Sequence, residues 1–427
     1  MNDSFLIKGQ GGSKKLEGSI SVGGAKNAVL KVMASSLLFD DAVTLANVPD
    51  IEDVSRAVEL LVKLGAHVTR DTPETLTIDP SSILSSTLDP EIAQTMRGSI
   101  VFTGSLLARG GSVTFPNPGG CDLGERPIDQ FIVGFEKFGA TVVEDSEQYS
   151  VSVAEQGLIG ADFFFRIQSH TGTETLMMTA VLAQGTTVLR NCALEPEVKS
   201  LADFLNECGA QITGAGTTTI TIIGSAGKLL HAGRTSYTTI PDRVEAVSFM
   251  VLGALSAREL RIENCDPTHF EIATEILRGA GVDVVVSGDS VVVRAPEQLM
   301  AVNIRTHEYP GLPTDVQPQL GVFSTQCNGT STIFETIFGN RLVYLKDLER
   351  MGADISIEDC HRAIVRGPSE LSGIELVAPD LRAGLAFVIA AVIAKGESTI
   401  RNAYYIDRGY ANIEERLRGI GVDIKRV

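Results

Sequence analysis

The sequence predicts an α/β protein of two domains, in which apolar helices are buried and surrounded by β-sheet. Three observations lead to this prediction. The chain has 427 residues, which is too long for one ordinary hydrophobic core. A pattern of strand, helix, glycine and strand recurs six times along it, and several of its helical segments are apolar on nearly every face.

The repeat is most easily seen at the helix ends, where a leucine- or phenylalanine-led turn is followed by glycine and an alternating apolar tail. Glycine is the usual left-handed cap after an amphipathic helix, and the alternation that follows indicates a strand. The unit is about 70 residues long, which is long for a solenoid repeat, whereas six units divide into two domains of three. The six segments are LVKLGAHV (61–68), FEKFGATV (135–142), LNECGAQI (205–212), LRGAGVDV (277–284), LERMGADI (348–355) and LRGIGVDI (417–424).

A second element precedes each glycine by about 18 residues. It is a short turn and a strand, usually ending in asparagine, as in DAVTLANV, GTTVLRN and GESTIRN. Between the two elements and beyond them lie helices that are apolar nearly all round. Because such helices belong inside a protein, residues 28–38, 175–185, 246–257 and 384–396 are predicted to be buried.

Composition narrows the functional class. The net charge of −17 argues against a nucleic-acid or anionic-membrane surface, and no run of 18 apolar residues predicts a membrane span. The first residues lack the basic and apolar regions of a secretory signal. The six cysteines show no CxxC spacing and are expected to be reduced thiols of a cytoplasmic protein; they are Cys121, Cys192, Cys208, Cys265, Cys327 and Cys360.

A series of motifs in a fixed order resembles the enolpyruvyl transferase family over the whole chain. The resemblance implies a two-domain inside-out α/β barrel with three repeats in each domain. One domain is expected at 23–238, carrying the Cys121 loop, and the other at 1–22 plus 239–427, with the active site in the cleft between them. The motifs are VGGAKNAVL (22–30), TMRGSIVFTGSLLAR (95–109), GGCDLGERPID (119–129), LEPEV (194–198), PDRVE (241–245), LPTDVQPQ (312–319), ETIFGNRL (335–342), PDLRA (379–383) and YIDRGYANIEERL (405–417).

The cysteine loop distinguishes the branch of this family that acts on UDP-N-acetylglucosamine from the shikimate branch. The resemblance implies transfer of the enolpyruvyl group of phosphoenolpyruvate to the 3′-hydroxyl of UDP-N-acetylglucosamine. Phosphate is released after a tetrahedral intermediate, and no cofactor or metal is needed. This is the first committed step of peptidoglycan synthesis. Two alternatives stay open: an enolpyruvyl transferase with another nucleotide or sugar acceptor, and a non-catalytic paralogue that binds a nucleotide.

Phosphoenolpyruvate carries a phosphate and a carboxylate, and both need cations, preferably the bidentate guanidinium of arginine. By resemblance, Lys26, Arg126, Arg382 and Arg408 contact phosphoenolpyruvate or its phosphate, and Asn27 and Arg97 help to align the substrates. Lys26 lies where a glycine-rich turn enters a helix, so that its side chain can join backbone N–H groups at an anion.

The resemblance also assigns the proton transfers of the reaction. Asp315 is the expected base for the acceptor hydroxyl, although alone it would be interpreted as a turn or helix-cap residue. By resemblance Asp380 is expected to order the site or to pair with a loop arginine, and a role as helix N-cap is equally compatible. Cys121 lies among glycines and charged residues rather than in an apolar run, which is typical of an accessible thiol. The family role of this cysteine is that of a general acid or covalent participant and the target of fosfomycin, on a loop that closes over the substrate. Lys26 and Arg408 complete the expected catalytic set.

The segments expected to contact the sugar nucleotide depart from the family pattern. The position of a usual lysine is taken by Ile167, next to Arg166, and Gly339 stands where glutamate is usual. Thr171 and Glu174 have the spacing of a capping box at the start of a helix. The remaining residues expected to line the substrate site are Pro127, Ile128, Asp129, Gln130, Ser169, His170, Ile337 and Arg341.

Overall fold

A computed structural model describes residues 3–117 and 128–427 of the chain. Cys121, Arg126 and Pro127 therefore lie outside the described residues. The described helices are α1 (Lys26–Ser35), α2 (Glu52–Leu64), α3 (Pro90–Ala93), α4 (Val101–Gly110), α5 (Asp129–Lys137), α6 (His170–Val181), α7 (Pro196–Glu207), α8 (Arg243–Ser256), α9 (Glu271–Gly279), α10 (Gln317–Ser324), α11 (Leu345–Arg350), α12 (Leu381–Ile393), α13 (Tyr404–Asp407) and α14 (Ile413–Gly419). None of these described helices is long and apolar enough to cross a membrane.

The strands are short and are spread along the whole chain between the helices. They are β1 (Ser4–Lys8), β2 (Leu16–Ser21), β3 (Val43–Ala46), β4 (His67–Thr72), β5 (Thr75–Asp79), β6 (Ser112–Pro116), β7 (Ala140–Glu144), β8 (Gln148–Val153), β9 (Asp162–Phe164), β10 (Thr186–Arg190), β11 (Gln211–Thr213), β12 (Thr219–Ile223), β13 (Ser236–Thr238), β14 (Ala257–Glu263), β15 (Asp283–Ser287), β16 (Ser290–Arg294), β17 (Leu299–Met300), β18 (Asn303–Arg305), β19 (Cys327–Phe334), β20 (Asp354–Ile357), β21 (Arg362–Gly367), β22 (Glu375–Val377), β23 (Glu397–Arg401) and β24 (Asp423–Arg426).

The described residues form two compact units. The middle unit comprises residues 24–117 and 128–240, and the terminal unit comprises residues 3–23 and 241–427. Within the described residues, each unit contains three sheets, each built around an antiparallel strand pair. The sheets of the middle unit have the orders β13-β3-β5-β4, β6-β8-β7 and β11-β12-β10-β9, and those of the terminal unit β15-β16-β14-β2, β22-β23-β1-β24 and β17-β19-β21-β20, with β18 also on β19.

Helices that are apolar on every face form the centre of each unit, as the sequence predicts. In the terminal unit α8, α10 and α12 contact one another, and every residue of the three is buried. In the middle unit α4 contacts both α1 and α6, which are buried over nearly their whole length. The sequence prediction missed α4 and α10. The α/β class with helices inside and sheets around them is therefore confirmed.

The six repeat glycines all adopt the left-handed conformation expected after a helix. Gly65 directly caps α2, with φ of 106°. The others follow within a few residues of the ends of α5, α7, α9, α11 and α14, with φ between 89° and 111°. A Cβ atom is strained in this conformation, so glycine is the residue that ends these helices best.

Three asparagines of the repeat also have a left-handed backbone, and their side chains form hydrogen bonds to neighbouring strands. Asn47, Asn191 and Asn264 each follow the central strand of a sheet and have φ between 51° and 56°. Each side-chain amide donates to the carbonyl just beyond the parallel neighbour strand, at 2.8 Å to Thr239, 2.9 Å to Phe165 and 2.6 Å to Val22. In these three repeats, the asparagine of the sequence pattern thus forms the same hydrogen bond.

The fifth repeat departs from this rule. Glu335 follows β19 at the position where the other strands are followed by asparagine. Its Oε1 accepts a hydrogen bond of 3.0 Å from the hydroxyl of Thr306, which lies just beyond the parallel strand β18. A hydrogen bond between the two strands is retained, but the fifth repeat has an acceptor where the first, third and fourth repeats have a donor.

Candidate active site

Asp315 of the terminal unit lies between two arginines. Its Oδ1 accepts a hydrogen bond of 3.0 Å from Nη2 of Arg341, and its Oδ2 accepts from Nε and Nη2 of Arg382 at 3.0 and 2.9 Å. Both guanidinium groups are buried, while 27% of the Asp315 side chain is exposed. Both oxygens of this carboxylate are thus held by guanidinium groups.

The geometry around Arg382 explains why this cation is stable inside the protein. Its Nη1 donates to the hydroxyl of Tyr410 at 2.9 Å. Burial lowers the pKa of Arg382, but the nearby Tyr410 and Asp315 outweigh that effect, so its pKa is raised and the guanidinium remains charged. Asp315 and Tyr410 therefore hold the guanidinium plane in a single orientation.

Asp380 caps α12 and thereby places Arg382 on the first turn of that helix. Its Oδ1 accepts hydrogen bonds from the backbone N–H groups of Arg382 and Ala383 at 2.8 and 3.1 Å. The same oxygen is 3.6 Å from Nη1 of Arg341. Both functions expected of Asp380, capping a helix and pairing with an arginine, are present together.

Glu335 extends this network on the other side of Arg341. Thr314 donates its hydroxyl hydrogen to Glu335 at 2.9 Å, and its oxygen accepts from Nε of Arg341 at 3.2 Å. The carboxylate also accepts from the backbone N–H groups of Ile337 and Phe338. Glu335, the residue that stands in place of the repeat asparagine, thus holds the loop that carries Ile337.

In the middle unit, Lys26 is the first residue of α1 and is paired with Asp53 near the start of α2. Lys26 Nζ lies 2.6 Å from Asp53 Oδ2, and both side chains are almost fully buried. Asn27 follows on the half-exposed side of the same turn, and half-buried Arg97 begins a 3₁₀ turn before α4. The predicted anion-binding lysine therefore has a carboxylate partner that would have to share it with a substrate.

The start of α6 carries the second group of predicted residues. Ser169 is the N-cap of this helix, and its hydroxyl accepts from the N–H of Gly172 at 3.0 Å. The predicted capping box of Thr171 and Glu174 is therefore wrong, because the helix begins two residues earlier than that spacing requires. Glu174 is instead fully buried and lies 3.2 Å from Lys31 Nζ.

The start of α5 is joined to the segment before α6. The Asp129 carboxylate accepts a hydrogen bond from Arg166, and both side chains are largely exposed. The Gln130 amide exchanges two hydrogen bonds with the backbone of Ile167, at 3.2 and 3.3 Å. The structure thus brings together two segments, Asp129–Gln130 and 166–167, that the sequence assigned to the same substrate.

The remaining predicted residues are accounted for by position and burial. Ile128 and Arg408 are buried, and Ile337 and His170 are partly exposed. Sequence reasoning missed Asp53, Lys31, Tyr410 and Glu335. Asp53 resembles an ordinary first-turn acid of a helix, whereas the charged residues Lys31 and Glu174 in otherwise apolar helices are the signal that could have been followed.

Comparison with known proteins identifies the family to which this chain belongs. The family model described as EPSP synthase (3-phosphoshikimate 1-carboxyvinyltransferase) matches residues 11–417. The chain belongs to this family of carboxyvinyl transferases. Among its relatives, a UDP-N-acetylglucosamine 1-carboxyvinyltransferase of Koribacter versatilis is 42% identical over 428 residues, covering 100% of this chain and 96% of the relative. The protein of the same name from Desulforapulum autotrophicum is 42% identical over 416 residues, covering 97% and 98%.

Solved structures of carboxyvinyl transferases share the fold. The enolpyruvyl transferase NikO from Streptomyces tendae superposes with a TM-score of 0.88 at 24% identity, covering 100% of this chain and 99% of NikO. The EPSP synthase of Acinetobacter baumannii gives a TM-score of 0.75 at 19% identity, with both chains fully covered. At these identities the likeness concerns the fold alone.

Proposed function

We propose that this enzyme transfers the enolpyruvyl group of phosphoenolpyruvate to the 3′-hydroxyl of UDP-N-acetylglucosamine and releases phosphate. The observation that carries the proposal is the Asp315 carboxylate, which is partly exposed and held by the buried Arg341 and Arg382. The substrate pair follows from the relatives that share 42% identity over nearly the whole chain. The reaction is the first committed step of peptidoglycan synthesis, and we place it in the cytoplasm, where phosphoenolpyruvate and nucleotide sugars are made.

In this proposal Asp315 takes the proton from the acceptor hydroxyl while the hydroxyl oxygen attacks C2 of phosphoenolpyruvate. A proton delivered to C3 completes the tetrahedral intermediate, and we assign that delivery to Cys121. Loss of the C3 proton and of phosphate from the intermediate then restores the double bond. The residues named in the proposal come from both units, since Lys26 belongs to the middle unit and Asp315 to the terminal unit.

The cations of the proposal have separate tasks. Arg382 and Arg408 of the terminal unit and Lys26 of the middle unit, together with Arg126, neutralise the phosphate and the carboxylate of phosphoenolpyruvate. Lys26 must turn from Asp53 toward the substrate, or share its charge between the two. Because Asp380 caps α12, the backbone at this helix start is already oriented before any substrate arrives.

Replacement of Asp315 by asparagine tests the proposal, because the amide has the same shape but accepts no proton. We expect phosphate release with UDP-N-acetylglucosamine to fall by about 10²–10⁴-fold, while calorimetry still shows binding of the sugar nucleotide. Asp354→Asn is the matched control, since Asp354 pairs with Arg366 at the surface of the same unit. Full activity of the Asp315→Asn variant would exclude Asp315 as the base.

A different acceptor is the second candidate; the relatives do not favour it, but one departure in the sequence makes it worth testing. Ile167 occupies the position where the resemblance places a lysine, and 66% of its side chain is exposed. Phosphate release measured with a panel of uridine, cytidine and adenosine nucleotides and their sugars separates the candidates. Turnover with UDP-N-acetylglucosamine at least tenfold above every other acceptor supports the first candidate, and turnover only with another acceptor supports the second.

A further inference from the structure

Lys31 is a buried cation that the proposed reaction does not use. It lies on α1, one turn after Asn27, and its side chain is 5% exposed. Its ammonium group is surrounded by three acceptors: the Asn27 carbonyl at 2.5 Å, the Glu174 carboxylate at 3.2 Å, and Nδ1 of His170 at 3.5 Å. The ammonium group forms hydrogen bonds with the Asn27 carbonyl and with Nδ1 of His170, and its contact with the Glu174 carboxylate is an ion pair.

This arrangement determines which nitrogen of His170 carries the hydrogen. An ammonium group has no lone pair, so Nδ1 must accept at Lys31, and the hydrogen of the neutral ring is then on Nε2. The other groups that face Nδ1 are compatible with this tautomer. Glu174 Oε2 is 3.7 Å away, beyond hydrogen-bond distance, and the Thr171 hydroxyl at 3.5 Å can serve as a second donor.

Glu174 holds Lys31 in place from the opposite side. Its side chain is fully buried at the centre of the unit on α6, and both of its oxygens lack a hydrogen bond among the described residues. The ion pair with Lys31 is therefore its main compensation for burial. Lys31 consequently joins the start of α1, where Lys26 and Asn27 lie, to the start of α6, where Ser169 and His170 lie.

We propose that Lys31 is a positioning residue that presents the Nε2–H group of His170 to the nucleotide part of the acceptor. The proposal rests on the proposed function, because only the resemblance places His170 at the nucleotide. The Nε2 atom is on the far side of the ring from Lys31, and 40% of the His170 side chain is exposed. The Nε2–H group of His170 would thus supply a hydrogen-bond donor in the segment where Ile167 stands in place of the usual lysine.

Kinetics of Lys31→Met provide the first test. We expect the KM for UDP-N-acetylglucosamine to rise about tenfold, the equivalent of one lost hydrogen bond, while kcat and the KM for phosphoenolpyruvate change less than twofold. Lys31→Arg keeps the charge and the donors, so the KM should rise less than threefold. Arg109→Met is the matched control, because Arg109 is a half-buried cation of the same unit that binds only backbone carbonyls, those of Leu37, Phe39 and Pro80.

A double variant separates positioning from stability. Lys31→Met alone leaves Glu174 buried without its cation and should lower the melting temperature, whereas Lys31→Met with Glu174→Leu replaces the pair by apolar groups and should recover it. We expect the KM of the double variant to remain high despite its recovered stability. If the KM returns to that of the parent enzyme, Lys31 is only structural and the proposal is overturned.

The tautomer is measured without any substrate, which keeps this test independent of the proposed function. In ¹⁵N NMR spectra at mildly alkaline pH, the His170 ring should show the Nε2–H pattern, and His170→Gln identifies its signals. In Lys31→Met the ring should show a mixture of both tautomers. An Nδ1–H pattern in the parent protein, or an unchanged spectrum in the variant, would overturn the assignment. If the parent protein does not use UDP-N-acetylglucosamine but the spectra are as expected, the proposed function fails and the role of Lys31 in setting the tautomer stands.

Discussion

The two units bury their cations in different ways. The terminal unit places the arginines Arg341 and Arg382 around one carboxylate, and almost every polar group of that network is paired with another. The middle unit buries the lysines Lys26 and Lys31, each beside its own acid. The planar guanidinium of arginine donates its hydrogen bonds in fixed directions, whereas the ammonium group of lysine can rotate among several acceptors. In the proposed reaction we therefore expect the terminal unit to orient the reacting groups and the middle unit to adapt to the substrate.

The largest expected effect comes from exchanging arginine for lysine in the terminal unit. Arg382→Lys retains the charge but cannot donate simultaneously to Asp315 and Tyr410, so we expect kcat/KM for phosphate release to fall by about 10²–10³-fold. The corresponding change in the middle unit, Lys31→Arg, is expected to cost less than threefold. Equal losses in the two variants would remove the distinction between the units.

Next come the glycines at which buried helices meet their neighbours. A Cβ atom on Gly321 of α10 would lie 1.9 Å from the Tyr344 hydroxyl, and one on Gly104 of α4 would lie 2.4 Å from the Thr175 carbonyl oxygen. We expect either glycine-to-alanine change to lower the free energy of unfolding by about 1–3 kcal/mol, measured by urea denaturation. Gly110→Ala, with open space around it, should be neutral or stabilising. A loss confined to one unit would show that only that helix centre is closely packed.

A smaller effect, equal in the two units, is expected when the side-chain hydrogen bonds of the repeat asparagines are removed. Asn47→Ala in the middle unit and Asn264→Ala in the terminal unit each remove the same hydrogen bond to a backbone carbonyl. Each should cost about 1–2 kcal/mol of unfolding free energy, and thermal unfolding of the two variants gives the comparison. Glycine at either position should cost less than alanine, because it tolerates the left-handed backbone better. Unequal costs for the two alanine variants would mean that the two hydrogen bonds are not equivalent.

The last effect is confined to alkaline pH, is shared by the units and concerns their buried thiols. Burial raises the pKa of Cys192 in the middle unit and of Cys327 in the terminal unit to about 12, from an ordinary value of 9.0. The folded state therefore favours the neutral thiol, and this contribution to stability is complete below pH 9 and is lost as the pH rises toward about 12. Alkaline unfolding of Cys192→Ala and Cys327→Ala should consequently depend less steeply on pH than that of the parent. A steeper dependence would contradict the assignment.

Much of the fold can be predicted from the sequence because its signals are local. A glycine after an amphipathic helix must cap it, and a helix without a polar face must be buried, so the repeat and four central helices are predictable. The helix α10 is not, since it is short and contains proline and glycine. The candidate site is harder to predict, because pairs such as Asp315 with Arg382, 67 positions apart, depend on packing rather than on spacing. The capping-box prediction was wrong because α6 begins two residues earlier than predicted, with Ser169 as its N-cap.

Glu335 shows how a duplicated structure can acquire a function in one of its copies. Five copies of the strand end in asparagine, and an ancestor built of identical units would have had the same hydrogen bond six times. In the fifth copy, the exchange of an amide donor for a carboxylate acceptor gathers the hydroxyls of Thr306 and Thr314, and through Thr314 it reaches Arg341. The symmetry of the architecture is broken at the copy whose strand leads to Arg341, the arginine that donates to Asp315. The change from asparagine to glutamate at this one strand end thus links the hydrogen bonds of the sheet to the arginine beside Asp315.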